Sequence, residues 1–510
     1  AKTQGKAPPP RHPRVGTTVG SCVPTLSHEQ RAAVHLAQRG HHAAVVARAG
    51  SGKTFTLKAI AEATAPRPAI LLAFNRTIAA EARAKFPSHV HATTLHALAY
   101  RHVIARDARM QRKFAAGARD DLAARLELAR LEPSDPHALR HLTQLRAILN
   151  AFVTSSDREL TARHLPAAVA HALQGSLGRM RARERSRWLV RRANDMWQRM
   201  QDPDDPAPLD HDAYLKVFAL QNPVLATEFL LVDEAQDLAP VMLGLLAQQS
   251  ATRLLVGDPA QRIYAFRGAV DAMAASGYPT QHLTRSFRFG ESIAEAARRV
   301  LSVREPGTIL RGTDRSSWIS YEKPILSQPR TVLCRTTLGV LEATLTYAEE
   351  GVHVVGGTRE ISSMLQSALM LWRGRTPNAA RNTRRYRSPG PPADRNLPFR
   401  SWDELVAATT EATGGWRLVR TLLEEHGEGV APLAQTLTAC QIEEPDDAPV
   451  VVSTIHRAKG REWDTVVLWD DLPDVPSDPR TFRRHPEPDS AEGELNLLYV
   501  AVTRARVRLD

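Results

Sequence analysis

Ala43-Ala44-Val45-Val46 runs directly into Ala47-Arg48-Ala49-Gly50-Ser51-Gly52-Lys53-Thr54. An apolar strand that turns through a Gly-rich loop into a helix is the setting a Walker A phosphate loop requires. Gly50 and Gly52 carry no Cβ, so backbone N–H groups there approach phosphate oxygens without obstruction. The N-terminus of the following helix adds partial positive charge. Lys53 is placed to reach the β- and γ-phosphates, and the Thr54 hydroxyl to sit on Mg²⁺. Ala49, Gly50, Ser51, Gly52, Lys53, Thr54 and Phe55 are therefore the candidate nucleotide contacts. Outward from this stretch, short apolar runs recur at Ile70-Leu71-Leu72, Phe229-Leu230-Leu231-Val232 and Leu254-Leu255-Val256, with helix-like segments between them. Strands alternating with helices predict a parallel sheet with its phosphate chemistry at the carboxyl edge.

A second α/β series follows at Thr331-Val332-Leu333-Cys334, Val352-His353-Val354-Val355, Val450-Val451-Val452 and Val466-Val467-Leu468. The fold class is thus α/β with two P-loop-type cores, parallel sheets flanked by helices, each interrupted by a largely helical or irregular insertion. The expected organisation is a disordered basic tail over 1–22 and a first core over 23–100 and 218–285. A helical insertion rich in Ala, Leu and Arg occupies 101–217. The second core spans 286–372 and 448–510, and a shorter insertion over 373–447 opens with a basic, Pro-rich loop. No repeat of fixed period is present.

With 510 residues the chain is long enough for several cores. The net charge of +12 makes polyanions natural partners, or simply solvates the surface. No apolar run is long enough to span a bilayer and no signal peptide is seen, so the chain reads as intracellular and away from membranes. The expected compartment is cytoplasm or nucleoid in a bacterium and nucleus in a eukaryote. Cys22, Cys334 and Cys440 form no CxxC pair, which argues against zinc, iron–sulfur and disulfide frameworks.

Phe229-Leu230-Leu231-Val232-Asp233-Glu234-Ala235-Gln236-Asp237 delivers two carboxylates at the end of a buried strand, a Walker B arrangement. Asp233 can hold Mg²⁺ through water, and Glu234 can act as general base on the attacking water. These motifs specify an ATP- and Mg²⁺-using nucleoside triphosphatase and no more. Four further stretches point to a motor: Gly257 to Ala269, Leu283 to Arg288, Ser453 to Glu462 and Leu497 to Ala505. The helical insertion also carries Arg179, Arg181, Arg183, Arg185, Arg187, Arg191 and Arg192 around Trp188, either a phosphate-contacting face or a solvated one.

In order and spacing from Leu26 to Asp510, these motifs resemble the UvrD/Rep/PcrA-like helicases of superfamily 1. The phrases His211-Asp212-Ala213-Tyr214-Leu215-Lys216, Ala73-Phe74-Asn75-Arg76 and Ser286-Phe287-Arg288-Phe289-Gly290 look like the F-box DNA helicase branch, and no F-box is read in the sequence. The resemblance implies two RecA-like cores, with ATP between them and single-stranded DNA across their tops. It implies that Gln30 bonds the adenine base, Gln261 senses the γ-phosphate, Arg288 and Arg504 reach the phosphates from the second core, and Glu462 contacts the ribose. It implies strand contacts by Phe74, Asn75, Thr94, His96, Tyr264, Phe266 and Arg267 in the first core, and by Thr454 and His456 in the second. Single/double-strand junctions are implied partners, translocation is expected to run 3′ to 5′, and repair or recombination is the expected setting. A translocase that strips recombinase filaments and an ATP-gated DNA-binding subunit remain alternatives. Three departures stand out. Arg48 occupies a position commonly held by Gly, the second insertion is short, and the chain stops soon after Arg504, where relatives continue, so a truncated chain is expected.

Overall fold

The structure, a computed structural model, describes residues 25–117, 122–132, 135, 137–264, 270–320, 329–375, 401–409, 415–472, 475–476, 478–483 and 488–510. The first sheet contains β1 (Ala43–Ala47), β2 (Ala69–Leu72), β3 (Val90–Thr93), β4 (Phe229–Val232), β5 (Thr252–Gly257) and β6 (Thr280–Leu283). Their spatial order is β3-β2-β4-β5-β1-β6, and every pairing is parallel. All residues of β1 and β4 are buried. A central parallel strand is covered on both faces, so it reads in sequence as an unbroken apolar run. Side chains nonetheless alternate. Phe229 and Leu231 join Leu57 and Ile60 on one face, while Leu230 and Val232 join the helical insertion on the other.

Parallel strands put all their carboxyl ends on one edge. Since β4, β5 and β1 are neighbours, the loops after them converge there although they are far apart in sequence.

Described helices of the insertion include Ala138–Thr154, Ala167–Leu177, Arg179–Gln201 and His211–Leu220. Phe152, Trp197 and Tyr214 fill their shared core. Two buried lysines hold its chain turns. Lys113 Nζ donates to the carbonyls of Arg199, Asp202 and Asp205 at 2.9, 2.8 and 2.7 Å. Lys216 Nζ donates to those of Ser155 and Asp157, at 2.7 and 2.5 Å, and burial pushes its amine down to about 8. A buried ammonium is tolerable only when its donors are satisfied in this way.

Between the sheets, β7 (Arg285–Gly290) pairs with β8 (Arg311–Thr313). The second sheet contains β9 (Trp318–Ile319), β10 (Arg330–Cys334), β11 (Val352–Val354), β12 (Val450–Thr454), β13 (Trp463–Leu468) and β14 (Ala505–Leu509). It is also parallel, in the order β11-β12-β10-β13-β14-β9. The two α/β cores expected from the strand pattern, RecA-like by the resemblance, are therefore present. Where it is described, the second insertion is helical. Trp402–Thr409, Gly415–His426 and Val430–Ala439 pack on Arg359–Trp372 through Leu365, Leu423 and Val430. The tail over 1–22 and most of the Pro-rich loop lie outside the described residues. No helix among the described residues is long and apolar enough to cross a membrane.

Candidate functional site

The phosphate loop leaves β1 with Gly50 and Gly52 at φ +74° and +83°. This left-handed region is open to glycine and strained for other residues. Gly52 is the cap of the helix Lys53–Ala63, so the helix N-terminus faces the cleft. Ser51 Oγ is buried and makes no hydrogen bond, an orphaned donor in the cradle where a phosphate oxygen fits.

Beside it, at the end of β4, Glu234 sits at φ +51°, rare for a residue with a side chain. Its Oε1 lies 2.7 Å from Lys53 Nζ, and its N–H donates to Asp233 Oδ1 at 2.9 Å. Burial and the neighbouring Glu234 push the Asp233 carboxyl up. Burial also opposes charge on Glu234, yet Lys53 and Lys459 outweigh it and hold that carboxyl low. Thr54 and Asp233 both line the cleft with hard oxygen donors, a donor set that fits Mg²⁺. After β5, Gln261 Nε2 donates to Asp258 Oδ2 at 2.8 Å.

The second core supplies the opposite wall. Arg288 Nε lies 2.5 Å from Glu462 Oε2, and its Nη1 donates to the Thr503 carbonyl at 2.9 Å. Arg504 is buried and donates to the carbonyls of Val500 and Arg461, at 3.0 and 3.1 Å. Burial, aided by the Arg288 charge, pushes its guanidinium down to about 9. Arg504 is consequently still a cation at neutral pH.

One cleft of about 540 Å³ gathers Gly50 to Phe55, Asp233, Glu234, Gln261, Arg288, Glu462 and Arg504. Gln30 and Ala49 do not line it. Gln30 closes a capping box with Ser27 and reaches the Ser51 carbonyl at 3.4 Å. The Ala49 N–H is taken by the Tyr499 hydroxyl at 3.0 Å.

A second cleft, of about 520 Å³, shares Asp233 and Glu234 with the first and carries Phe74, Thr94, His96 and Tyr264. The Phe74 and Tyr264 rings stack at 5.7 Å and 15°. Lys459 Nζ lies 5.9 and 5.2 Å from their centroids. The Tyr264 hydroxyl donates to the His456 carbonyl at 3.2 Å, joining the cores. Asn75, Thr94 and Thr454 each cap a helix, with their side-chain oxygens accepting from Ile78, Ala97 and Arg457 N–H. His96 faces Asp212 at 3.4 Å. Phe266 and Arg267 lie outside the described residues. In the helical insertion Arg185 stacks 4.2 Å over Trp188, Arg192 stands at 5.7 Å, and Arg179, Arg181, Arg183, Arg187 and Arg191 are exposed.

Sequence reasoning missed the ties between the cores. Lys459 pairs with buried Asp237 and donates to the Gln261 carbonyl at 2.8 Å. Both residues stand inside motifs read from sequence, but nothing in either motif names the other as its partner.

A phosphate loop, an acidic strand end and arginines from a second parallel sheet define a P-loop nucleoside triphosphatase with two RecA-like cores. The family model for the UvrD/REP helicase N-terminal domain matches residues 26–275, and that for the UvrD-like helicase C-terminal domain matches 449–509. The chain belongs to the UvrD/REP helicase family. It is similar to F-box DNA helicase 1 of Gallus gallus, 28% identical over 515 residues, covering 94% of this chain and 48% of that one. It is also similar to F-box DNA helicase protein 1 of Schizosaccharomyces pombe, 28% identical over 503 residues, covering 91% of this chain and 55% of the other. The chain spans about half the length of these curated relatives.

Proposed function

We propose that this protein is an ATP-dependent DNA helicase that moves 3′ to 5′ along single-stranded DNA, engages single/double-strand junctions and serves repair or recombination inside the cell. The observation that carries the reading is the cleft in which Lys53, Glu234 and Gln261 of one core face Arg288 and Arg504 of the other. Thr54 and Asp233 would hold Mg²⁺, which when bound would supply charge neutralisation on the phosphates. Glu234 takes the proton of the attacking water. Lys53 and the two arginines meet the charge that spreads over the phosphoryl oxygens. Because the arginines come from the second core, hydrolysis depends on closure.

The second cleft supports a strand track. Its aromatic floor, Phe74 and Tyr264, offers base stacking that tolerates any sequence. It abuts Asp233 and Glu234, so a strand there sits one residue layer from the hydrolytic centre. The names of the relatives favour DNA as the strand.

Steady-state ATPase with and without single-stranded DNA, followed by unwinding of duplexes with a 3′ or a 5′ tail, tests the reading. DNA-stimulated, Mg²⁺-dependent turnover and unwinding of the 3′-tailed duplex are expected. Turnover indifferent to DNA would remove the motor, and unwinding of the 5′-tailed duplex alone would reverse the polarity.

A further inference from the structure

Behind the phosphate loop, facing away from the nucleotide cleft, lies a buried hydrogen-bonded hub between the cores. Arg48, the first loop residue after β1, is 6% exposed. Its Nη1 donates to Asp258 Oδ1 at 3.3 Å, and its Nη2 pairs with Glu305. Asp258 is fully buried in the first core, in the loop that carries Gln261. Glu305 ends the helix Glu291–Arg304, which packs against the second sheet through Ile293, Ala297 and Leu301. The hub closes through Tyr499, fully buried on the helix Pro488–Val502. Its hydroxyl accepts from the Ala49 N–H and donates to Asp258 Oδ2, both at 3.0 Å. Two consecutive loop residues, Arg48 and Ala49, are thereby held from the second core, one through a side chain and one through the backbone. Arg304 and Arg262 extend the hub to Glu492 at 2.9 and 2.7 Å.

We propose that Arg48 is a positioning residue for nucleotide binding: bridging Asp258 and Glu305, it sets the phosphate loop by the position of the second core. A guanidinium serves the two carboxylates through separate nitrogens of one planar fork, Nη1 on Asp258 and Nη2 on Glu305, a geometry a single ammonium nitrogen does not reproduce. The backbone amides of the loop contact phosphate alike in the ground and transition states. Misplacing them removes uniform binding, which raises KM and leaves kcat in place. This inference rests on the proposed ATPase activity.

The test uses Glu305→Gln, Arg48→Lys and their combination, because Arg48→Ala strands Asp258 and puts folding at risk. Lysine keeps the charge but offers one nitrogen in place of the fork, and glutamine removes the Glu305 charge, so both single variants weaken the same bridge. Each is expected to raise KM for Mg·ATP about 2- to 150-fold, the range of coupling between contacting residues. The double variant should be no worse than either single one, and kcat should stay within about twofold. A Glu305→Gln protein with wild-type KM overturns the proposal, even if its melting temperature falls. Additive effects in the double variant, or a lowered kcat at unchanged KM, overturn it as well. Wild-type turnover is measured first. Its absence would sink the ATPase reading and this inference together, whereas normal wild-type turnover with unaffected variants sinks the hub alone.

Discussion

Replacing Lys459 by Met removes the charge that ties the second core to Asp237 and keeps an unbranched apolar side chain at the position. Lys459 and Asp237 side chains are 8% and 1% exposed, so the substitution takes from a buried Asp237 the cation that pairs with it directly. Stranding one partner of such a pair costs about 3–5 kcal/mol. The cost must depend on pH. In the wild type, burial already raises the Asp237 carboxyl to about 6 despite the Lys459 charge, with Glu234 raising it further. A raised carboxyl opposes folding once ionised, so this opposition is absent below the unfolded value and complete above about pH 6. Without Lys459 the folded carboxyl titrates higher still, while Glu234 and Lys53 act on it in both proteins. Below pH 6 Asp237 is neutral in both, and the variant lacks only its hydrogen bonds. Above pH 6 only the wild type ionises Asp237 against a cation, so the deficit grows by ~1.4 kcal/mol per unit. Between pH about 5.5 and about 8.5 the added deficit reaches about 3 kcal/mol, in line with the cost of a stranded charge. Chemical unfolding of both proteins at the two pH values reads it directly. An equal deficit at both would refute the assignment of Asp237 as the responsible group.

Other outcomes follow from the same geometry. Glu234→Gln should retain Mg·ATP binding and lower turnover about 10²- to 10⁴-fold, the contribution of a general base. Near-normal turnover would free Glu234 of that role. Arg288→Ala and Arg504→Ala should bind ATP with modest loss and hydrolyse it ~10³-fold more slowly if they act as arginine fingers. Full DNA-stimulated activity in either would show that its contacts with Thr503, Arg461 and Val500 are its whole function. Phe74→Ala should weaken single-strand binding by ~1–3 kcal/mol and lower unwinding more than basal ATPase. Wild-type affinity in fluorescence anisotropy would make the Phe74–Tyr264 stack a packing contact only.

How much of this was legible in the sequence depended on burial and on distance along the chain. The central strands β1 and β4 are apolar and buried throughout, and β5, β10 and β12 read clearly from the apolar runs Leu254-Leu255-Val256, Val332-Leu333-Cys334 and Val450-Val451-Val452 within them. The missed strands β3 and β6 are the two edges of the first sheet. Val90-His91-Ala92-Thr93 and Thr280-Gln281-His282-Leu283 carry polar side chains because an edge faces solvent. Ala505-Arg506-Val507-Arg508-Leu509 alternates apolar and basic residues, so it lacks the continuous apolar run by which β10, β12 and β13 of the same sheet were read. In the site, residues contiguous with a motif were found from it. The pairs that join the cores were not, because Asp237 and Lys459 are 222 positions apart and Arg48 and Glu305 are 257 apart. Only the docking of one sheet against the other brings them together, and no local pattern encodes that docking.

The ion pairs inside the nucleotide cleft indicate what a triphosphate must exchange. Lys53 is held by Glu234, and Arg288 by Glu462. On the proposed function, phosphate oxygens compete for both cations. When Lys53 turns to phosphate, Glu234 loses the charge that most holds its carboxyl low. Its proton affinity rises, the direction a general base needs. The same carboxylate accepts from Gln236, whose Oε1 accepts from the Asp258 N–H at 3.0 Å. Asp258 in turn holds Gln261, Tyr499 and Arg48. A shift at Glu234 is thus one hydrogen bond from Gln236, two from Asp258 and three from the second core. In the other direction Asp237, three residues on, holds Lys459 over the Phe74 and Tyr264 rings. The nucleotide cleft and the aromatic cleft are therefore each tied to the second core by a short chain of polar contacts, and both chains begin in the turn that follows β4. Such contacts have discrete alternatives rather than a continuous range, which is the physical requirement for converting an event at a phosphate into a step along a strand.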